Sequence, residues 1–440
     1  MGTELTRGDL EAYWMPYTGN RAFKDAPRMI VGADGCYYLS ADGRRIFDSL
    51  SGLWCCGFGH NRHEIAVAVS QQLTTLDYSP AFQFGHPLAF KLANRVKSMT
   101  PDGLNHVFFC NSGSEAVETA LKMARAYWHR RDEPGRTRFI GRGKGYHGVN
   151  FGGMSVGGIE ANRTPYGELI ESSHLPHTLL EENAYSRGLP AKGTELANEL
   201  ENLIDQHGAG SIAAVIVEPL SGSAGVILPP QGYLKRLREL CTKHDIFLIF
   251  DEVITGFGRT GQNFAADTFG VVPDILCLAK TLTNGALPMG AVIASSSIYD
   301  TFMSDDGPDY AIEFPHGYTY SGHPVACAAA LAALDIFEEE KLAARCRELA
   351  PYFEDAIHDL KGLPYVADIR NFGLVGAIQL DPYPSEPTRR SLEVGIDCWE
   401  RGLYVRFSGD CLALAPPFIA EKEDLDFTFN VLSDVLRAQS

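Results

Sequence analysis

Three short apolar runs in this chain each end on residues whose types can do chemistry. Val107-Phe108-Phe109-Cys110 opens into Asn111-Ser112-Gly113-Ser114-Glu115 and a helical pattern, Ile246-Phe247-Leu248-Ile249-Phe250 ends on Asp251, and Ile275-Leu276-Cys277-Leu278-Ala279 ends on Lys280. Ser112, Gly113 and Ser114 at a helix start offer a phosphate free backbone N–H groups and the positive end of the helix dipole. A carboxylate at the end of an apolar strand is costly when unpaired, so Asp251 predicts a partner. Desolvation at such a position lowers a lysine's pKa, which leaves Lys280 a nucleophilic amine fit to form an imine with an aldehyde. Singly, each has an ordinary reading: an N-cap, a turn aspartate, a solvated lysine. Together they are the three anchors that pyridoxal 5'-phosphate requires: a cradle for its phosphate, a carboxylate that keeps its pyridine nitrogen protonated, and an amine for its aldehyde.

The turn after the run at residues 139–140 is Gly141-Arg142-Gly143-Lys144-Gly145-Tyr146-His147-Gly148. No Ser or Thr follows Lys144 as a nucleotide loop requires, so this is read as a strand-end turn displaying Tyr146, an aromatic able to cover a planar cofactor, with His147 beside it. Packing within its own turn is the competing reading for Tyr146. Gly256-Phe257-Gly258-Arg259-Thr260-Gly261 has the glycine pattern of dinucleotide-binding folds. Four residues, 252–255, separate it from Asp251, no clear amphipathic helix starts at Gly261, and Asp274 comes too early to hold a ribose. His60 and His63, like His174 and His177, lack an acidic or cysteine neighbour at ligand spacing, so no metal site is expected.

These residues need strands that end together, because ligands of open α/β sheets gather beyond the carboxyl ends of the strands. The runs at 107–109, 139–140, 213–217, 246–250 and 275–278 are too short for core helices and rich in β-branched or aromatic residues. That composition predicts buried strands of a mostly parallel sheet, alternating with helices at 64–76, 88–99 and from Glu115 to about His129. Ahead of them lie a candidate helix around residues 9–14 and β-like pieces at 28–31, 36–39 and 45–47, joined by Asp34-Gly35 and Asp42-Gly43 turns as an antiparallel meander. Beyond Ser321 come helices at 324–340 and 342–360, a strand-like region and a closing helix after Glu421. Head and tail are each too small for a core of their own, so residues 1–55 and 323–440 are expected to join as a small α+β domain against a large domain at 56–322.

Charge and composition exclude other classes. A net charge of −17 repels nucleic-acid backbones and anionic membranes, and the densest basic stretch, 135–144, reads as solvated surface. The longest apolar run, 325–334, falls short of the roughly 20 residues of a bilayer span. Residues 1–10 hold no apolar leader core, so a cytoplasmic location is expected, with neither nucleic acid nor membrane as partner. Ten cysteines without a CxxC pair predict free thiols. A ligand-sensing regulator of this fold would need an added interaction module, and none is read at either end.

With Lys280, Asp251, Tyr146 and residues 112–114 in view, the chain resembles the class III pyridoxal-phosphate aminotransferases of the fold type I group over nearly its whole length. It is most similar to their omega-amino acid:pyruvate (β-alanine:pyruvate) members. The strings that carry this are Tyr13-Trp14-Met15-Pro16-Tyr17, Gly52-Leu53-Trp54-Cys55-Cys56, Phe250-Asp251-Glu252-Val253-Ile254-Thr255-Gly256-Phe257-Gly258-Arg259 and His316-Gly317-Tyr318-Thr319-Tyr320-Ser321-Gly322-His323-Pro324. The resemblance implies an α/β fold with a seven-stranded, mostly parallel sheet. It implies that Ser112, Gly113 and Ser114 hold the phosphate, that Tyr146 stacks on the pyridine ring with His147 in the same site, that Val253 packs on the other ring face, and that Asp251 pairs with the ring nitrogen. Glu218, after the strand at 213–217, would hold the hydrogen-bond network nearby. Thr319 would reach the phosphate of a neighbouring subunit, making the active unit a homodimer or homotetramer. Leu53, Trp54, Phe82 and Ala224, together with Tyr146, would form the amine pocket. Arg406, in Tyr404-Val405-Arg406-Phe407, would pair with the acceptor's carboxylate, which its planar fork suits. Ala413 stands where close relatives often carry more polar residues, implying one substrate contact fewer.

The expected reaction is a ping-pong transamination. Lys280 yields the cofactor aldehyde to a primary amine or an omega-amino acid such as β-alanine, then moves the proton between the amine carbon and the cofactor carbon. Pyruvate runs the second half, with Arg406 on its carboxylate, and L-alanine leaves. A 4-aminobutyrate transaminase using 2-oxoglutarate, or an aminomutase of the same fold, is the alternative.

Overall fold

Buried apolar runs must satisfy their backbone hydrogen bonds within the protein, and here they do so by pairing side by side. The computed structural model describes residues 6–167, 169–304 and 307–439; residues 1–5 of the stretch read for a leader lie outside it. In the head, β1 (Ile30–Asp34), β2 (Tyr37–Ser40) and β3 (Arg45–Asp48) form the expected antiparallel meander. The first helix is Arg7–Leu10, earlier and shorter than expected, because Thr6 and Asp9 form a capping box that sets its start.

Seven strands make the central sheet: β4 (Leu104–Cys110), β5 (Arg138–Arg142), β6 (Ser172–Leu175), β7 (Ile212–Val217), β8 (Phe247–Asp251), β9 (Ile275–Leu278) and β10 (Gly290–Ser295), in the order β4-β10-β9-β8-β7-β5-β6. Within it, β10 runs antiparallel to both its neighbours, while the pairs from β9 to β6 are parallel. Sequence reading missed β6 and β10. The first is a half-buried edge strand of Ser-Ser-His-Leu, and the second is built largely of Gly, Ala and Ser, which are weak strand formers on their own. Both faces of the sheet are covered. Along β8, Phe247 and Ile249 pack with Val117, Leu121 and Trp128 on helix Gly113–Arg130, while Leu248 and Phe250 join the core cluster on the opposite side.

The tail contributes helices Pro324–Glu339, Leu342–His358 and Lys422–Ala438, and strands β11 (Val366–Phe372), β12 (Val375–Leu380), β13 (Leu403–Tyr404), β14 (Arg406–Ser408) and β15 (Cys411–Leu414). Four of them form an antiparallel sheet, β11-β12-β15-β14. β13 instead pairs in parallel with β3, Leu403 opposite Phe47 and Tyr404 opposite Asp48, so head and tail share one sheet.

One surface expectation is corrected. Arg136 and Arg142 of the basic stretch 135–144 are buried, not solvated. The Arg136 guanidinium lies 3.8 Å from the Trp128 ring centroid and donates to Glu133 and to the Asp245 carbonyl, while Arg142 enters the site described below. The glycine pattern at 256–261 is a structural latch. Buried Arg259 donates to the carbonyls of Leu374 (3.0 Å) and Pro416 (2.8 Å) and to Oγ of Ser51 (3.2 Å), joining this loop to head and tail. All ten cysteines are free, Cys55 and Cys56 half-buried and the rest buried. Among the described residues no helix is long and apolar enough to cross a membrane, and no cluster of metal-ligating side chains occurs.

Candidate active site

β8 and β9 are neighbours with Asp251 opposite Cys277, so Asp251 and Lys280 arrive at the same end of the sheet. Lys280 leaves β9 at φ 49, a left-handed conformation that costs a non-glycine residue on the order of 1–2 kcal/mol. It opens a 3₁₀ turn, Lys280–Thr283, whose Thr281 hydroxyl donates to the Trp54 carbonyl at 3.2 Å. Burial pushes the Lys280 amine below its ordinary pKa, against the opposing pull of Cys55, Asp251 and Glu218. Its Nζ lies 4.9 Å from the Trp54 ring centroid.

Asp251 has the partner its burial demands. Nδ1 of His147 lies 2.9 Å from Oδ2, and Oδ1 accepts the Val253 N–H at 3.1 Å. Glu218 follows β7 and is buried; its Oε1 accepts the Tyr146 N–H at 2.9 Å and its Oε2 the Gly222 N–H at 3.1 Å. Burial holds the Glu218 carboxyl above the ordinary range, with His147 opposing. Arg142, at the end of β5, donates to the Glu218 carbonyl (2.7 Å) and to Oγ of Ser221 (2.8 Å). Tyr146 is thus held by its backbone to the end of the adjacent strand. Burial, with a contribution from Tyr17, pushes its hydroxyl up to about 12.

Ser112 caps helix Gly113–Arg130, its Oγ accepting the Glu115 N–H at 3.2 Å, while the N–H groups of Gly113 and Ser114 ahead of it have no intrahelical acceptor. A Cβ on Gly113 would stand 2.9 Å from Cγ1 of Val253. Gly148 has φ 90, and a Cβ there would lie 2.7 Å from Cα of Ser114, whose Oγ accepts the Val149 N–H at 3.1 Å. The 112–114 cradle therefore packs directly on the 146–148 turn and on the Val253 side chain of the 251–253 turn.

Trp54 sits on a contorted turn with φ of 52 at Ser51, 69 at Gly52 and 57 at Trp54 itself. Only 2% of it is exposed, in an apolar cluster with Leu50, Val226, Ile254, Ala377 and Ala413. The Arg406 guanidinium lies 5.6 Å from its ring centroid. Arg406 pairs with Ala413 across β14 and β15, so Ala413 occupies the buried ground beside the arginine. Ala224 is half-buried in a loop tied to the tail by Ser408 Oγ donating to the Ser223 carbonyl (3.2 Å) and Arg370 Nε donating to the Gly225 carbonyl (2.9 Å). Leu53 is exposed beside Trp54.

The structure thus brings together Lys280, Asp251, His147, Tyr146, Glu218, Val253, residues 112–114, Trp54 and Arg406, with Leu53 and Ala224 on adjoining turns. Phe82 and Thr319 lie apart, both exposed. The Phe82 ring crosses Gly317, where a Cβ would meet it at 2.6 Å, and the Thr319 carbonyl accepts the Tyr78 hydroxyl at 3.0 Å. Among the described residues no hydrogen bond or ring contact joins either to Lys280, Asp251 or Trp54. Sequence reading missed Arg142 and Asp48 as structural parts of this region. Each ends a strand, β5 or β3, and the strand-end rule reaches them once those strands are drawn to their full length.

Comparison with known proteins matches the family model described as "Aminotransferase class-III" to residues 18–436. The chain is 57% identical to the omega-amino acid–pyruvate aminotransferase of Pseudomonas putida, over 97% of this chain and 96% of the relative. It is 56% identical to the beta-alanine–pyruvate aminotransferase of Pseudomonas aeruginosa over the same shares. A solved amine transaminase from an uncultivated Pseudomonas species, described in its PLP-bound form, superposes with a TM-score of 0.90 at 37% identity, covering 97% of this chain and 98% of that one.

Proposed function

The chain belongs to the class-III aminotransferases, and from that premise we propose that it moves an amino group from a primary amine or an omega-amino acid, β-alanine among them, to pyruvate, giving L-alanine. The observation that carries the reading is Lys280, an amine depressed by burial at the end of β9, one strand from the Asp251–His147 pair and over the same Trp54 ring as Arg406.

The residues fit pyridoxal 5'-phosphate. Nε1 of Trp54, Nε2 of His147 and Nε of Arg406 are buried without a protein partner, and each stands on a residue bordering Lys280 or Asp251, as in a site that takes a polar ligand. Ser112, Gly113 and Ser114 would hold the phosphate, Tyr146 and Val253 the two ring faces, Asp251 with His147 the ring nitrogen, and Lys280 the aldehyde. When bound, the group supplies an aldehyde that captures amines and a ring that accepts the electron pair left when a proton departs from carbon.

The chain's own residues do the rest. Lys280 Nζ, whose hold on a proton is weakened by burial, takes and returns the proton of the amine carbon. Asp251 holds a proton opposite its carboxylate, with His147 fixing the orientation. Trp54, Leu53 and Ala224 bound the amine side chain and exclude water. Arg406 orients the acceptor through its carboxylate. Phe82 and Thr319 share an exposed face, which supports a homodimer or homotetramer in which they complete a neighbouring site. The pairing of β3 with β13 supports a division into a large domain of residues 56–322 and a small domain of 1–55 with 323–440. Ten free cysteines favour a reducing compartment, the cytoplasm.

The test supplies purified protein with the vitamer and follows alanine formation from β-alanine, 4-aminobutyrate and a chiral aryl amine, each with pyruvate and with 2-oxoglutarate. Pyruvate is expected to be the preferred acceptor. Lys280→Ala is expected to lose the visible absorption of the bound cofactor and to turn over below about a thousandth of the parent rate. Strict use of 2-oxoglutarate, or full activity without the lysine, contradicts the reading.

A further inference from the structure

The buried carboxylate of Asp48 lies outside the site just described, yet its backbone contacts lead to Trp54. It ends β3 with no exposed surface. Its Oδ1 accepts the Leu50 N–H at 3.1 Å, and its Oδ2 accepts the Gly52 N–H and stands 2.7 Å from Nε2 of His60. Tyr38 closes the group from above: burial, and then Asp48, push its phenol far above the ordinary range, and its ring packs on His60 with centroids 4.5 Å apart.

What these bonds restrain is the backbone from Leu50 to Trp54, with its left-handed Ser51, Gly52 and Trp54. Such a run persists only where its surroundings over-determine it. Ser51 is held from the tail, its hydroxyl donating to the Ala415 carbonyl at 2.7 Å and accepting from Arg259. Among the described residues, Asp48 is the side chain that takes the N–H groups of Leu50 and Gly52. A carboxylate is needed here because two N–H donors and His60 require two accepting oxygens, whereas an amide would turn a donor toward one of them. The turn's product is the placement of the indole over which Lys280 and Arg406 both lie.

We propose that Asp48, held by His60, is a positioning residue that sets the Trp54 wall of the amine pocket and so the enzyme's discrimination between small and bulky donors. This rests on the assignment of Trp54 to that pocket.

The test is the ratio of kcat/KM for a bulky arylalkylamine to that for β-alanine, both with pyruvate, in the holoenzyme. A merely structural loss lowers both constants alike and leaves the ratio unmoved. Trp54→Ala sets the scale of the shift. Asp48→Asn is expected to move the ratio in the same direction by roughly fivefold or more, His60→Ala by about twofold, and His60→Gln, whose amide N–H still reaches the carboxylate, to stay near the parent value. Before cofactor is added, acrylamide should quench the tryptophan fluorescence of Asp48→Asn more than that of the parent, and a Trp54→Phe background should abolish the difference. An unchanged ratio and unchanged quenching in Asp48→Asn, with Trp54→Ala shifted, overturn the positioning role alone. An unchanged ratio in Trp54→Ala overturns the pocket reading and this proposal with it. Should Asp48→Asn fail to fold, the His60 pair decides: a shift in Ala restored in Gln supports the proposal, and parent values in both overturn it.

Discussion

Arg406 lies over Trp54 with its Nε buried and unpaired, in register with the small, buried Ala413. A guanidinium whose Nε is buried with no acceptor is costly to leave so, and the arrangement favours an anion arriving there. Arg406→Ala is therefore expected to lower kcat/KM for pyruvate by roughly a hundredfold, while the half-reaction with an uncharged aryl amine changes by no more than about threefold. Single-turnover absorbance of each half-reaction separates the two, and equal losses would contradict the assigned role. At this scale Lys280 and Asp251 were legible because an ionisable side chain ending an apolar strand is conspicuous. Trp54 was not, because a tryptophan among apolar neighbours reads as core; the pocket role proposed for it came from resemblance, and its placement depends on a contorted turn that no periodicity announces.

Adjacent acids on one strand end have opposite fates. Asp251 faces the site, whereas Glu252 turns away and caps helix Ala265–Phe269, accepting the N–H groups of Ala265 (2.6 Å) and Ala266 (2.7 Å) and the Thr255 hydroxyl (2.9 Å). Burial outweighs these bonds and pushes the Glu252 carboxyl up to about 7 from 4.5. Because the folded value is raised, the folded state keeps a proton that the unfolded chain has released. The resulting stabilisation is complete below the unfolded value and is lost as pH rises through the folded one. Between pH ~4.5 and ~8 the parent is expected to lose about 3 kcal/mol relative to Glu252→Gln, read from denaturant midpoints at the two pH values. A parent that gains on the variant over that range would refute the shift. The helix and strand assignments followed composition closely where runs were apolar, as in β7, β8 and β9. They failed at β6 and β10, where polar or small residues become strand only because neighbouring strands supply hydrogen bonds.

Across the whole molecule, the exposed face bearing Phe82 and Thr319 carries further apolar surface at Tyr78, Phe84 and Tyr320, more than isolated exposed side chains require. If this face meets a second copy, Thr319 of the partner subunit serves the site containing Lys280. Mixing Lys280→Ala protein with Thr319→Glu protein, each inactive alone, is then expected to restore activity toward half the parent level per hybrid dimer, since one site receives both intact residues. Subunit exchange followed by an alanine assay checks this; no recovery in verified hybrids would place Thr319 in its own chain's site.

The order of residue types along the chain determined the chemistry: an amine, a carboxylate and a hydroxyl-glycine loop, each at the end of a strand that burial of its own apolar side chains compels to form. It also set the layered α/β plan, because short apolar runs alternating with amphipathic stretches pack stably as a covered sheet. Tertiary structure alone decided that β13 joins β3 and so carries Arg406 to Trp54, that Arg142 is drawn inside to hold the end of β7, and that Asp48 restrains the turn bearing the indole. Those contacts join residues far apart in the chain, 76 positions in the case of Arg142 and Glu218, or depend on left-handed backbone, and local pattern holds no record of either.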